Sequence, residues 1–275
     1  MKLTLEGIKD RKVWEEAGIS LPSYDVGAVA EATRKKPVWV HFGAGNIFRI
    51  FIGGIADVLI AQGVSDRGIT CAETFDFDVI EKIYRPYDNL VLGVTLKADG
   101  STDKKVIGAL TEALKAQAGE TEDWKRLKDI FADPGLQIAS FTITEKGYAL
   151  KGADGAYFPF IQADIDKGPE KAVSAMAVMC SLLYGRYKAG KAPLAVVSMD
   201  NCSHNGEKLQ ESVITMAKEW NRRGYVEDGF IAYLSDHEQV SFPWSMIDKI
   251  TPRPADSVRA ELENAGVEDM TPVIT

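Results

Sequence analysis

Residues 38–51, VWVHFGAGNIFRIF, constrain the fold of this chain more than any other stretch. Residues 38–42, β-branched and aromatic apart from His41, predict a strand buried on both faces. Gly43 and Gly45 then permit a sharp reversal, and the apolar spacing beyond them predicts a helix over 47–62 that stops at Gly63. A strand, a glycine turn and a helix in this order call for a parallel partner strand, hence for a chain long enough to make crossovers. At 275 residues this one is.

Four further runs read as buried strands: 68–73, 90–96, 136–144 and 193–200. Helices are expected at 104–118, 121–132, 169–189 and 206–223. The last places Leu209, Val213, Met216, Ala217 and Trp220 on one face, with Asn205 as its N-cap. In the first helix Ile50, Phe51, Ile55, Val58 and Leu59 form the stripe expected to face the sheet. This alternation predicts an α/β protein of the Rossmann-like, doubly wound kind, with a mainly parallel sheet and helices on both faces. Residues 98–103 and 151–159 interrupt it as turns or hairpins. Residues 1–36 read as a polar lead-in, 37–252 as the organised domain and 253–275 as a connecting segment.

With 32 Lys and Arg against 40 Asp and Glu, the net charge of -8 opposes nucleic-acid binding, which needs clustered cations. No membrane partner is expected either, because the longest apolar stretches, 47–60 and 172–184, are broken by Arg49, Asp57 and Ser181 or carry small residues. The first residues lack the apolar run of a secretory signal. Three widely spaced cysteines, Cys71, Cys180 and Cys202, suit a reducing compartment, so the expected location is cytoplasmic. Cys202, His204 and His237 have poor spacing for zinc, and no metal site is expected. Motifs for acyl transfer and for NTP hydrolysis are absent from the sequence.

A parallel α/β sheet binds ligands at the carboxyl ends of its strands, where a helix N-terminus can hold a pyrophosphate. Gly43, Gly45, Asn46 and Ile47 occupy that place after the first strand. The usual fingerprint has a third glycine where this chain has Phe48, which implies a helix standing further out or rotated. Arg49 is either a phosphate ligand or a surface cation. At the end of the second strand one of Glu73, Asp76 and Asp78 should meet the adenosine ribose, favouring NAD over NADP. Later strand ends supply Thr144, Glu145 and Lys146, then Asp200, Asn201, His204 and Asn205. Helix capping or loop hydrogen bonds would also account for Asp200, Asn201 and Asn205. Within FPWSMIDKITPRP, Asp248 and Lys249 suggest a fixed loop with a buried or half-buried carboxylate.

HFGAGNIFR (41–49), TITEKGY (142–148), SMDNCSHNGEKL (198–209) and FPWSMIDKITP (242–252) occur in one order and spacing. From Pro37 onward the chain thereby resembles the amino-terminal domain of the polyol-specific long-chain dehydrogenase family, the mannitol dehydrogenase and mannonate oxidoreductase group. The resemblance implies metal-independent, NAD(P)-dependent hydride transfer between a secondary alcohol and its ketone, with a small sugar acid or polyol as substrate (mannonate/fructuronate or mannitol/fructose). It implies a cofactor set of Gly43, Gly45, Asn46, Ile47, Arg49, Glu73, Asp76, Thr144, Glu145 and Asp200. Asn201 would hydrogen-bond the reacting oxygen, and Asp248 would line the nicotinamide end.

In the family the general base is a lysine in a Lys-x-x-x-x-Asn-x-x-His segment, and no lysine here has asparagine five positions on. The expectation is therefore an amino-terminal, NAD-binding part, whose helical carboxyl-terminal domain would be supplied elsewhere or by another chain. Two other classes remain open. One is an S-adenosylmethionine-dependent methyltransferase, which would usually carry an acid where His41 and Phe42 stand. The other is a non-catalytic nucleotide-binding module.

Overall fold

The computed structural model describes residues 1–248, 251 and 256–268. Among these residues the strands are β1 (Ile19–Ser20), β2 (Trp39–Phe42), β3 (Ile69–Glu73), β4 (Val91–Leu96), β5 (Thr102–Ile107), β6 (Leu110–Lys115), β7 (Ile138–Phe141), β8 (Leu194–Ser198) and β9 (Val240–Ser241). Six of them form one sheet in the order β6-β3-β2-β7-β8-β9, and every neighbouring pair is parallel. The chain starts in the middle, winds outward to β6, and returns past β2 to build the other half. The strand order therefore reverses between β2 and β7, and a ligand crevice opens at their carboxyl ends.

Both faces of this sheet are covered, as the apolar strands require. Val40, Phe42, Ala72, Ala139 and Phe141 join a core with the helices at Glu122–Ala132, Ala175–Lys188 and Asn205–Arg222. Ile69 and Cys71, on the opposite face of β3, join Phe48, Ile52, Ala56 and Ile60 from the helical segment after β2. The stripe expected in the helix 205–222 is fully buried, from Leu209 to Trp220.

Three expectations fail for identifiable reasons. Residues 104–118 are not a helix. Their apolar spacing at Val106, Leu110 and Ala113 imitates one, but the chain bends at Gly108, where a Cβ would meet Val26 Cγ2 at 2.7 Å. The two halves separate into different sheets, β5 antiparallel to β4 and β6 parallel to β3. Residues 90–96 consequently leave the main sheet and form a hairpin with β5, closed by a Lys97 N–H···O Ser101 bond of 2.9 Å.

The helix after β2 also buries a different face. Ile55, Val58 and Leu59 are exposed, while Phe48, Ile52, Ala56 and Ile60 point inward. Residues Ile47–Ile52 make a π-helical turn before α-helix begins at Gly53. That wider turn holds an extra residue and rotates the side chains that follow.

Residues 1–36 do more than lead in. Trp14, Ile19 and Val26 are buried with Leu90, Val106, Leu262 and Val267 in a third core, and β1 pairs with β5. The Met1 ammonium donates to Gly266 O at 2.6 Å, and the Glu268 amide returns to Met1 O at 2.8 Å. Asp57 ties this small sheet to the large one, accepting from Tyr24 Oη at 2.6 Å and from the Gly108 amide at 3.0 Å. Among the described residues no helix is long and apolar enough to cross a membrane.

Candidate functional site

The two glycines of the first turn serve different needs. Gly43 has φ +111°, and a Cβ there would stand 2.3 Å from Thr142 O, so the close approach of β7 demands glycine. Gly45 has no positive φ and nothing within 4 Å of the position its Cβ would take. The fold does not require glycine at 45. What a side chain there would fill is the open space above the turn, the place a bound group would occupy.

The turn is pinned from both sides. Glu73, at the end of β3, accepts from the Ala44 amide at 2.9 Å through Oε2. Through Oε1 it accepts from the amides of Thr74 and Phe75 at 2.8 and 2.9 Å. Tyr84, fully buried, donates its hydroxyl to Ala44 O at 3.1 Å. Beyond the turn the first N–H groups of the helix have no acceptor within it, and among the described residues no side chain caps them. Asn46 and Ile47 stand at this end.

Phe48 takes the room a third glycine would leave. It is buried and lies parallel to the His41 ring, 4.1 Å between centroids. His41 is itself buried, with Nδ1 2.7 Å from Ser140 Oγ and Nε2 2.8 Å from Thr142 Oγ1. Burial pushes its pKa down to about 3. Below pH ~6.5 the unfolded chain gains a proton at this ring while the folded chain does not. Stability should therefore fall as pH drops from about 6.5 towards about 3, by ~1.4 kcal/mol per pH unit at most. Urea unfolding at a series of pH values should show this slope, and His41→Gln should flatten it.

Arg49 is not a surface cation. It is 3% exposed, and its Nη2 donates to Asn46 Oδ1. Among the described residues no carboxylate lies within ion-pair distance of it; Tyr84 and Cys71 are its ionisable neighbours, and burial lowers its pKa. A cation thus lies desolvated beside the first residue of the helix without a counter-charge.

The three acids after β3 part ways. Glu73 is committed to the turn, and Asp78 pairs with Lys82 at 2.6 Å. Asp76 is exposed and makes no side-chain cap to the short helix it precedes. Beside it Phe75 is 92% exposed.

Across the crevice, Thr144 follows β7 with φ 68° and ψ 158°. Both oxygens of Asp200 turn toward this loop: Oδ1 accepts from the Thr144 amide and Oδ2 from the Ile143 amide, each at 2.9 Å, and Oδ2 also from the Tyr148 hydroxyl. Glu145 pairs with Lys208 of the helix 205–222. Asn201 is exposed at the rim beyond β8. Tyr148, quoted in the sequence but given no role there, has its phenol held protonated by burial and by Asp200.

Two expectations need correction. Asn205 is not the N-cap of its helix: His204 holds that position with φ 55°. The buried Asn205 amide instead donates to Ser198 O at 3.2 Å, Asp200 O at 3.1 Å and Ser245 O at 2.9 Å. It therefore staples the loop after β9 to the end of β8. Asp248, carried on that loop, is exposed rather than buried or half-buried, while its neighbour Ile247 packs against the core that holds Phe48 and Ile52. Lys249 lies outside the described residues. Nor does any group of three His, Cys, Asp or Glu among the described residues have the placement to hold a metal ion.

A family model, mannitol dehydrogenase Rossmann domain, matches residues 37–274. A D-mannonate oxidoreductase of Thermotoga maritima is 46% identical over 275 residues, all of this chain and 50% of that protein. A mannitol 2-dehydrogenase of Pyrenophora tritici-repentis is 29% identical, with 94% of this chain and 43% of that protein covered. Among solved structures, the ternary complex of Pseudomonas fluorescens mannitol 2-dehydrogenase with NAD and D-mannitol superposes with a TM-score of 0.79. It is 26% identical and covers 99% of this chain and 52% of that one. The chain spans about half the length of the curated relatives it matches. Strand order, glycine turn and family match thus agree, and the chain belongs to the mannitol dehydrogenase Rossmann domain family.

Proposed function

We propose that this chain is the NAD-binding part of an oxidoreductase acting on a sugar acid or sugar alcohol. The observation that carries the reading is Arg49, buried with no acid partner among the described residues, beneath a turn whose second glycine faces free space. Holding a lone cation out of water is costly, and a pyrophosphate over the turn would offset that cost through charge-assisted bonds. The residues present fit NAD. Gly45 gives the diphosphate room, and the helix N-terminus at Asn46 and Ile47 offers N–H donors. Gly43 keeps the turn tight against β7. Asp76 is free to meet the ribose hydroxyls, with Glu73 fixing the backbone from which it projects.

When bound, the nicotinamide would accept or give up the hydride. Thr144 and Glu145 would flank its ribose, and Asn201 would hydrogen-bond the substrate oxygen as charge develops on it. Asp248 would line the same end. The D-mannonate oxidoreductase and mannitol 2-dehydrogenases it resembles are about twice as long, and we place the general base in the part of them that this chain does not match. Small carbohydrate acids or polyols are the substrate class, and a helical second domain, on this or another chain, is the partner.

Calorimetric titration of the purified chain with NADH, NADPH and S-adenosylmethionine tests the cofactor. NADH should bind at least about tenfold more tightly than NADPH, because an extra phosphate would meet the Asp76 carboxylate. Binding of the methyl donor with no response to either nicotinamide nucleotide would reject the reading.

A further inference from the structure

We propose that Asp200 is a positioning residue, which holds the loop 143–148 in a strained shape as the far wall of the cofactor crevice and does not itself contact the cofactor. This inference rests on the crevice being an NAD site. The carboxylate is already spent on the loop: the amides of Ile143 and Thr144 and the Tyr148 hydroxyl converge on its two oxygens. Only crowded lone pairs are left for a ligand.

The conformation so held is one the chain would not otherwise adopt. Thr144, at φ 68° and ψ 158°, sits in a region essentially reserved for glycine. Its amide is one of those Asp200 accepts, so the strained residue and the acid are directly joined. The remainder of the loop is anchored as well. The Tyr148 hydroxyl also lies 2.8 Å from Ser198 Oγ, and Ser212 Oγ donates to Tyr148 O at 2.7 Å. Thr144 is therefore a raised point between fixed ends, exposed, with a hydroxyl bonded to nothing among the described residues.

Position gives the strain a use. Residue 142 is the group that a Cβ on Gly43 would strike, so the loop leaves β7 against the glycine turn and across the β2–β7 reversal. A strained residue held at the mouth of a ligand crevice is pre-organised, whereas a relaxed loop would have to be ordered on each binding event.

The test uses Asp200→Asn, Thr144→Gly and the double variant, with NADH affinity and thermal midpoint measured on the full chain. Asp200→Asn keeps the size but presents an N–H₂ to one of the amides; it should weaken NADH by tenfold or more. Thr144→Gly alone should raise the midpoint, and whatever NADH affinity it loses with the threonine side chain beside the ribose sets the reference for the double variant. In that background Asp200→Asn should cost less than threefold in affinity, since glycine enters the conformation unaided.

A direct cofactor contact by Asp200 would cost as much in either background, so an undiminished loss in the Thr144→Gly background overturns the proposal. So does Asp200→Asn binding NADH as well as wild type, which would leave the acid a purely structural part. If Asp200→Asn does not fold, Tyr148→Phe removes one donor from the same carboxylate. It should weaken NADH about threefold in the wild-type background and hardly at all in the Thr144→Gly background; unchanged affinity in the first, or an equal loss in the second, overturns the proposal. A wild-type chain that binds no NADH would sink the NAD reading and this inference with it. A wild-type chain that binds, beside variants that bind alike, sinks only the inference.

Discussion

Gly45→Val should abolish NADH binding, weakening it by about a hundredfold or more, while the unfolding free energy stays within ~1 kcal/mol of wild type. The separation follows from the surroundings of the residue. A Cβ at 45 meets nothing within 4 Å and the backbone has no positive φ, so the protein alone tolerates a side chain. The branched methyls would project into the space above the turn and hold a diphosphate off the helix N–H groups. Losing two charge-assisted bonds, each ~1.5–3 kcal/mol, amounts to about a hundredfold or more. Gly43 could not serve in this experiment, because a Cβ there collides with Thr142 O and disturbs the fold itself. Undiminished binding by Gly45→Val, measured by NADH fluorescence, would remove the diphosphate from this turn.

Arg49→Met should separate affinity from stability in the opposite direction. NADH affinity should drop by roughly ten- to a hundredfold, the worth of one charge-assisted bond to phosphate. The ligand-free chain should be unchanged or more stable, by up to ~3 kcal/mol, because replacing a buried charge with an apolar side chain of similar size removes a desolvation cost. Arg186 shows what a structural arginine looks like in the same protein. Its guanidinium donates to the carbonyls of Phe131, Asp133, Leu136, Ala192 and Pro193, and its charge is fully solvated by backbone. Among the described residues Arg49 has a single side-chain oxygen. Denaturant unfolding and NADH titration of the same preparation decide the matter; a less stable ligand-free variant would mean that Arg49 is a staple like Arg186.

The parallel sheet was legible because its strands are short apolar runs buried on both faces, each with its own crossover. The expected first, second, fourth and fifth runs correspond to β2, β3, β7 and β8. What the sequence hid was the split at Gly108. A helical spacing of apolar residues there belongs to two strands in different sheets, and the groups that meet the bend at Gly108, Val26 and Asp57, are distant in sequence. The rotated face of the helix after β2 was equally illegible, since a π turn has no marker in composition.

At the candidate site, the glycine turn and the strand-end acids could be found because their chemistry repeats at fixed distances along the chain. Which acid does what could not. Glu73 and Asp200 are consumed by backbone amides, and Asp76 is not, a distinction that depends on loop paths rather than on residue type. Tyr148 escaped notice for the same reason: its partner Asp200 is far off in sequence and meets it only where β7 and β8 end.

The contact between Met1 and residues 266–268 has a consequence for how the protein is made. Met1 finds its hydrogen-bond partners 265 and 267 residues further along the chain. During synthesis, Leu3 and Trp14 must wait for Leu262 and Val267 before their shared core closes. The nascent chain thus carries an open greasy seam around Leu3 and Trp14 until Leu262 and Val267 have been made, while the strands around β2 already have most of their neighbours.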